Sequence, residues 1–365
     1  MAQDISSVKI EYDRYKQSND TRPMKAIVMR APGKPDVLSL QEVPEPKIEK
    51  PTEILVKLKA AGINPIDTKL RQRGTFYPDQ MPAILGCDGA GIVEAVGSEV
   101  REFKPGDEVY YCAGGLGKSG TGNYAQFAVV DESLVARKPR SLSFAEAAAA
   151  PLVLITAWES LYDRARLEAG QKVLIHAGAG GVGHVAIGLA KLKGAQVCTT
   201  VGSPDKERLV RHFGADEPIL YKQTDFVQAV LNWTNGEGVD IAFDTVGGKT
   251  FFDSCSAVRV YGDLVTILEP DPALGNLKVA RNRNLRISLE LMLTPALMGL
   301  ESAQKHQTEI LKQCAAWIDE GKLKIHLSQT FPLEEAAEAH RLLETGSMTG
   351  KLALVIDRSK RLTII

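Results

Sequence analysis

Hydrophobic residues follow two different patterns along this chain, and the change of pattern divides it into parts. Between residue 24 and about residue 135, short apolar runs are separated by turns rich in glycine and proline, with strand candidates at 54–60, 91–96, 108–111 and 124–130. Short strands of this kind are typical of a small, irregular barrel or sandwich. From residue 172 onward, apolar strand-length runs alternate with helical stretches, which predicts a doubly wound parallel sheet of the α/β class.

Six apolar runs are predicted to build the parallel sheet. They cover residues 173–175, 195–200, 218–221, 239–244, 263–268 and 285–289. Capping residues mark the helices between the strands: Ser203 begins one helix, Gly214 ends it, and Thr224 begins the next. Ahead of the sheet, Ser143 followed by Glu146 predicts a capping box that opens an alanine-rich helix.

The last part of the chain returns to a mixed pattern. A long amphipathic helix is predicted over 301–320 and a shorter one over 335–345, followed by a final strand at 352–356. We expect this tail to rejoin the first domain, which makes the α/β domain an insertion. The predicted divisions are an N-terminal extension over 1–23, a β-rich domain over 24–150, the α/β domain over 151–295, and the return to the β-rich domain over 296–365.

The turn after the first strand of the α/β domain carries the strongest chemical signal. It reads Gly178-Ala-Gly180-Gly181-Val182-Gly183, set between an apolar strand and a helix of small residues. In a dinucleotide-binding turn, the first glycine allows a tight bend, the second lets the backbone approach a pyrophosphate, and the third lets the helix pack closely on the strand. The helix N-terminus, with Gly181 and Val182, then offers free N–H groups to the phosphates. The alternative is a tight strand-to-helix turn without a ligand.

The end of the second strand of this sheet indicates which dinucleotide binds. A fold that prefers NAD usually places Asp or Glu there for the ribose 2′-hydroxyl, but residues 199–202 contain no acid. Ser203 and Lys206 follow instead, and a hydroxyl with a cation suits a 2′-phosphate, so we predict NADP(H). Ser203 is also explained as a helix cap, and Lys206 as part of a solvated helix face. Tyr221, after the third strand, is a further candidate to cover the adenosine phosphate.

Composition narrows the class of protein further. The 365 residues carry a formal net charge of −1, which gives no electrostatic case for binding nucleic acid or an anionic membrane. No apolar run approaches the roughly 18 residues that a membrane span needs. Residues 1–22 are polar and lack the apolar core of a secretory signal. The five cysteines are scattered without a Cys-x-x-Cys pair, so we expect a cytoplasmic protein without a disulfide framework.

Several motifs together resemble the medium-chain dehydrogenase/reductase superfamily, and in particular its zinc-free quinone oxidoreductase branch, which includes zeta-crystallin-like proteins. The motifs lie at residues 61–68, 85–93, 104–107, 155–157, 176–183, 243–247 and 350–351. The resemblance covers residues 24–357. It implies a GroES-like catalytic domain that is split around a Rossmann domain, with the active site in the cleft between the two.

The resemblance also allows a prediction about a catalytic zinc. In the zinc alcohol dehydrogenases of this superfamily, a cysteine would stand at Asn64 and a His-Glu pair at Cys87-Asp88, and the third ligand would lie near 152–154, where all residues are apolar. A catalytic zinc needs three protein ligands, so we expect no metal. We interpret Cys87 as a small, partly buried thiol.

The remaining site residues are carried over from the family motifs. Asn64 is expected on the substrate side of the nicotinamide, with a loop-stabilising amide as the alternative, and Tyr77 is expected to line the pocket or donate a proton, with packing as the alternative. The cofactor is expected to contact Thr156, Val246, Gly247 and Ile267. Asp67 and His176 are expected to be structural. Lys69 stands where close relatives usually carry tyrosine, so the quinone pocket departs from the family pattern there.

These expectations combine into a function. Without zinc, hydride transfer from NADPH to a quinone or to the C=C bond of a small apolar enone demands less of the protein than alcohol oxidation. An enoyl-thioester reductase and a non-catalytic NADPH-binding protein of the crystallin type are the alternatives. Family resemblance also suggests a homodimer.

Overall fold

The computed structural model describes residues 22–357, so the predicted N-terminal extension lies almost wholly outside the described residues. The strands of the β-rich part are β1 (Pro23–Met29), β2 (Leu38–Pro44), β3 (Glu53–Ile63), β4 (Ala83–Ile84), β5 (Asp88–Val96), β6 (Glu108–Cys112), β7 (Phe127–Asp131) and β8 (Ala136–Arg137). The strands that follow are β9 (Lys172–Ile175), β10 (Gln196–Val201), β11 (Glu217–Leu220), β12 (Val239–Asp244), β13 (Val258–Thr266), β14 (Arg286–Leu289), β15 (Leu327–Pro332) and β16 (Lys351–Val355).

The helices lie at the edges and faces of these strands. In chain order they are α1 (Pro65–Arg73), α2 (Phe144–Ala148), α3 (Pro151–Trp158), α4 (Gly181–Leu192), α5 (Pro204–Phe213), α6 (Phe226–Trp233), α7 (Lys249–Ala257), α8 (Lys278–Asn282), α9 (Thr294–Met298), α10 (Glu301–Asp319) and α11 (Ala336–Glu344). A π-helical turn, Glu159–Arg164, continues directly from α3.

The α/β fold class is confirmed: within the described residues, six strands form one parallel sheet in the order β11-β10-β9-β12-β13-β14. The strand order reverses beside β9, and open α/β sheets bind their ligands outside the carboxyl ends of the strands at such a switch point. The sequence therefore predicted both the six strands and the edge at which a nucleotide belongs.

The β-rich part contains two further sheets within residues 22–357. Strands β2-β1-β4 form one, and β15-β16-β3-β5-β6-β8, with β7 also paired to β3, form the other. The last strand joins the second of these sheets, where Leu352 pairs antiparallel with Ile63. This pairing sets Lys351 beside the Ile63-Asn64 segment, although the two are almost three hundred residues apart in the chain. The domain boundaries themselves stay a prediction.

Local signals were mostly sufficient to place the helices. Ser143 and Glu146 form the predicted capping box, and Ser203 caps α5. The predicted start of α6 at Thr224 was wrong by one residue, because the Asp225 carboxylate accepts hydrogen bonds from two backbone N–H groups of α6 and is the actual cap. In the described part of the chain, no helix is both long enough and apolar enough to cross a membrane.

Candidate active site

The glycine-rich turn, residues 177–183, has the geometry of a phosphate cradle. A Cβ atom at Gly178 would collide with Thr199 Oγ1, and one at Gly183 with the Ala177 carbonyl, so both positions require glycine. Gly180 is the N-cap of α4 and supplies no capping side chain. Within residues 22–357, the N–H groups of Gly181 and Val182 have no acceptor. These free donors at the N-terminus of a twelve-residue helix fit a pyrophosphate.

The carboxyl end of β10 brings together the residues predicted for a 2′-phosphate. Gly202 follows the strand, and a Cβ there would lie 3.3 Å from Tyr221 Oη. Ser203 accepts the N–H of Lys206 at 3.4 Å, while Lys206 Nζ turns to the Ser347 carbonyl at 2.9 Å. The lysine amine therefore bridges α5 to the segment before β16, so the predicted cation already has a partner within the protein.

Lys222 is a residue of this region that the sequence reasoning missed. Its Cε atom lies 3.5 Å from the position of a Cβ at Gly202, on the same side as the Tyr221 hydroxyl. Arg208, two residues after Lys206, pairs with Asp205 on the surface. The signal for Lys222 was available, because it directly follows Tyr221 after a parallel strand.

The loops after β12 and β13 form the neighbouring wall. Buried Asp244 accepts the N–H groups of Val246 at 3.0 Å and Gly247 at 2.9 Å, and its backbone carbonyl accepts the N–H of Ile267 at 3.2 Å. Asp244 thus fixes the three predicted cofactor residues at the carboxyl edge of the sheet. Val246 is exposed there, and its side chain is available to a ligand.

Two residues of the family motifs bond internally. Thr156 is buried, and its hydroxyl donates to the Leu152 carbonyl one turn earlier in α3, at 2.7 Å. His176 is held between Thr200 Oγ1 and Ser254 Oγ, as expected for a structural histidine, and burial lowers its pKa to about 4. Contact between Thr156 and the nicotinamide stays a prediction.

Asn64 lies in a fully buried polar cluster. Its Nδ2 atom donates to Asp88 Oδ2 at 2.8 Å, and its Oδ1 atom accepts a hydrogen bond from Lys351 Nζ. Lys351 Nζ also donates to the Ile63 carbonyl at 2.7 Å, and the Asn64 N–H donates to Asp67 Oδ2 at 2.8 Å. Because a lysine ammonium only donates and a carboxylate only accepts, the orientation of the Asn64 amide is fixed.

Burial raises the pKa values of both carboxyl groups in this cluster. The pKa of Asp67 rises to about 7, and that of Asp88 rises as well, with Lys351 and the hydrogen bond from Asn64 acting against the rise. Burial lowers the pKa of Lys351, and the nearby Asp88 and Asp67 oppose that shift. Asp67 bonds nearby backbone, as expected of a structural residue.

Cys87, at one of the positions where zinc alcohol dehydrogenases would hold their metal, is hydrogen-bonded within the buried cluster. Cys87 Sγ donates to Asp67 Oδ1 at 3.8 Å, and burial together with that carboxylate raises the thiol pKa well above its ordinary value. In the described part of the chain, no group of three or more His, Cys, Asp or Glu side chains could hold a metal ion. An amide such as Asn64 is not among the usual zinc ligands, so Cys87 and Asp88 supply two donors where a catalytic zinc takes three, and this set does not fit one.

A cavity of about 80 Å³ lies between the β5–β6 edge, α3 and the α9–α10 segment. Its wall contains the thiols of Cys87 and Cys112, apolar side chains such as Ile155 and Met292, and two carboxamides, Gln304 and Gln307. Cys87 connects this cavity to the buried cluster through Asp67.

The two predicted catalytic residues, Asn64 and Tyr77, and also Lys69 lie apart from the cavity wall. Asn64 is fully buried behind it, Tyr77 is half-buried and packs against the main core, and Lys69 is exposed on α1. Residues 22–357 contain no hydrogen-bond partner for the Tyr77 hydroxyl. Lys351 belongs to the motif at 350–351 but was not predicted as a site residue, and Gln304 and Gln307 were missed, since nothing local in the chain sets them beside Cys87 or Asn64.

Comparisons with known proteins agree with this architecture. The Alcohol dehydrogenase GroES-like domain family matches residues 50–140, and the Zinc-binding dehydrogenase family matches residues 213–354. A quinone oxidoreductase of Pseudomonas aeruginosa is 35% identical over 335 residues, which cover 91% of this chain and 99% of that protein.

Solved structures show the same likeness. The Escherichia coli quinone oxidoreductase, crystallised with NADPH, has a TM-score of 0.79 and 30% identity, over 91% of this chain and all of that one. An alcohol dehydrogenase superfamily protein from Novosphingobium aromaticivorans has a TM-score of 0.83 and 36% identity, over 92% of this chain and all of that one. This chain belongs to the medium-chain dehydrogenase/reductase superfamily, and its quinone oxidoreductase homologues fit the zeta-crystallin-like branch.

Proposed function

We propose that this chain is an NADPH-dependent oxidoreductase that reduces a small quinone, or the activated C=C bond of an α,β-unsaturated carbonyl compound, without zinc. The observation that carries the proposal is the buried cluster of Asn64, Asp88 and Lys351. Two of its members, Asn64 and Asp88, stand where the resemblance puts a cysteine and a glutamate in the zinc alcohol dehydrogenases of the superfamily. The glycine-rich turn supplies the cofactor site, and the E. coli relative that binds NADPH supports this choice of cofactor.

The reaction requires little of the protein beyond holding the cofactor and the acceptor in position. Bound NADPH would supply a hydride, and one proton from water completes the reduction to a hydroquinone or a saturated carbonyl compound. Negative charge that develops on the acceptor oxygen needs only hydrogen-bond donors. Asn64 offers an amide of fixed orientation, and Tyr77 offers a hydroxyl without a partner in the described residues. Asn64 would act directly only once its buried amide becomes accessible, and otherwise holds Asp88 and Lys351 in place.

The cavity supports a small, apolar acceptor. Its 80 Å³ is below the roughly 150 Å³ of an engineered cavity that holds benzene, so a ring would have to displace lining side chains such as that of Met292. The raised pKa of Cys87 keeps its thiol protonated, and a protonated thiol is a poor nucleophile toward quinones and enones.

We also propose a homodimer and a cytoplasmic location. Strand β14 is an edge of the parallel sheet, and the exposed apolar residues Leu289 and Leu291 lie at its end and just beyond it. An exposed edge with apolar neighbours favours pairing with a second copy. All five cysteines are free thiols, which agrees with a reducing compartment.

A spectrophotometric assay of NADPH consumption tests the proposed function. The acceptors are 1,4-naphthoquinone, 2-cyclohexen-1-one, a 2-alkenal and crotonyl-CoA, each with and without a chelator and with NADH in parallel. We expect turnover of quinone or enone with NADPH, unchanged by the chelator. Turnover of crotonyl-CoA alone would establish the enoyl-thioester reductase, and NADPH binding without any turnover would favour the non-catalytic protein.

A further inference from the structure

Three polar side chains of α10 line the cavity. They differ in whether their hydrogen-bonding groups already have partners within the protein. Gln307 donates from Nε2 to Glu159 Oε1 at 2.9 Å and to the Met292 carbonyl at 2.7 Å. Both partners accept, so both N–H groups of Gln307 are used and its carbonyl oxygen is the end left for the cavity. Thr308 donates its hydroxyl hydrogen to the Ser133 carbonyl at 2.8 Å.

Gln304 differs from both neighbours. It lies one turn before Gln307 and Thr308 on α10, is half-buried, and lines the same cavity. Among residues 22–357, no group hydrogen-bonds its side-chain carboxamide. A half-buried carboxamide that faces an otherwise mostly apolar cavity without a partner has its two N–H groups available to a ligand.

The thiols on the opposite wall do not compete for this role. Cys87 Sγ is hydrogen-bonded to Asp67, and Cys112 is hydrogen-bonded to Asp88. Thiols are also weak donors compared with an amide. The part of the cavity wall that contains Cys87 lies next to the buried cluster of Asn64, whereas Gln304 lines the cavity from α10.

We propose that Gln304 is a specificity-determining residue that donates a hydrogen bond to the second carbonyl of a para-quinone. This inference rests on the proposed function. The carbonyl at the reacting end would lie toward the Cys87 and Asn64 side, and the carbonyl across the ring would reach α10. An enone with one carbonyl has no group for Gln304 to bind, so the residue discriminates between the two acceptor classes.

Two acceptors that differ mainly in the second carbonyl test this assignment. Initial rates with NADPH are measured for 1,4-benzoquinone and for 2-cyclohexen-1-one, after subtraction of the enzyme-free rate. In Gln304→Met, we expect kcat/KM for benzoquinone to fall about 3- to 10-fold, as for the loss of one hydrogen bond, and that for cyclohexenone to change less than about twofold. The KM for NADPH should stay unchanged.

Two further variants test whether the effect comes from the hydrogen bond of Gln304. Gln304→Glu keeps the shape and, assayed at a pH at which its carboxyl is ionised, has no donor, so it should show the same selective loss. Gln313→Met changes an exposed glutamine on the same helix and should leave both acceptors unaffected. Equal losses for both acceptors, or no loss for benzoquinone, would overturn the role of Gln304 alone. A wild-type protein that reduces neither acceptor would overturn the proposed function as well.

Discussion

Lys351, the first residue of β16, donates a hydrogen bond from Nζ to Asn64 Oδ1 across a sequence separation of 287 residues. The bond ties β16 to the start of α1, inside a cluster that contains two buried carboxyl groups. Removing one partner of a buried charged pair usually lowers stability by more than the intact pair contributes. The reason is that the remaining charged group stays buried without its partner.

Replacing Lys351 by methionine should therefore destabilise the fold strongly. The change leaves Asn64 Oδ1 and the Ile63 carbonyl without their donor and leaves Asp88 without its neighbouring amine. We expect a loss of about 3–5 kcal/mol in the free energy of unfolding, measured by urea denaturation. The double variant with Asp88→Asn should recover part of this loss, and a Lys351→Met protein as stable as the wild type would show that the cluster adds little.

Glu159 should make stability fall as pH rises. It is buried beside Glu290, with Asp163, Arg164 and Gln307 also facing it, and burial raises its pKa from 4.5 to about 8. The folded state thus binds a proton that the unfolded state releases, so this contribution is complete below pH 4.5 and is lost as the pH rises through about 8.

Glu159→Gln removes that contribution, since glutamine can accept from Gln307 and donate to Glu290 without ionising. Relative to the wild type, its melting temperature should be similar at about pH 5 and several degrees higher at about pH 9, measured by differential scanning fluorimetry. The exposed Glu94→Gln serves as the control. A constant difference between variant and wild type across this range would contradict the assignment.

Alanine substitutions in the glycine-rich turn should separate packing from ligand approach. At Gly183, the methyl group would collide with the Ala177 carbonyl, so we expect a loss of about 1–3 kcal/mol in stability together with lost NADPH binding. At Gly180, the added Cβ meets the Ala177 carbonyl oxygen only at 3.1 Å, so the fold should persist while NADPH affinity drops at least about tenfold. Calorimetric titration measures the NADPH affinity of both variants. If Gly180→Ala binds NADPH as tightly as the wild type, the pyrophosphate lies elsewhere.

The choice of coenzyme should depend on Lys206 and Lys222. Replacing either by methionine should lower kcat/KM for NADPH about tenfold and leave that for NADH within about twofold, because only NADPH carries the 2′-phosphate. Arg208→Met is the matched control, since that guanidinium is exposed and paired with Asp205. Parallel losses with both coenzymes would mean that these lysines act on the fold or the shared part of the dinucleotide.

Charge on the β14 edge should prevent the proposed dimer. Leu289 is 61% exposed at the end of this strand, and Leu289→Lys introduces a cation that a second copy would have to bury. Light scattering coupled to size-exclusion chromatography should give a dimer for the wild type and for the control Leu40→Lys, which lies on β2 in a different sheet. The Leu289→Lys protein should elute as a monomer, and an unchanged dimer would place the interface elsewhere.

The features that sequence alone determined are local. The glycine-rich turn, the capping box at Ser143 and the six parallel strands depend on residues within a few positions of one another, where backbone sterics and hydrophobic periodicity act directly. The missing acid after β10 is equally local, and together with Ser203 and Lys206 it led to the prediction of NADP(H) rather than NAD. The cap of α6 was misplaced, because Thr224 and Asp225 are both good caps and the side-chain geometry decided between them. The fifth strand, predicted over 263–268, is observed at Val258–Thr266.

The tertiary structure decided how the active-site region is assembled. Asn64, Asp88 and Lys351 carry no signal that they meet, and their contact exists because β16 pairs with β3. Gln304 likewise reaches the cavity only because α10 packs across α3 and the β5–β6 edge. The physical reason is that burial and hydrogen bonding act through space, so a polar side chain becomes part of a structural cluster or a binding wall only when distant segments remove it from water.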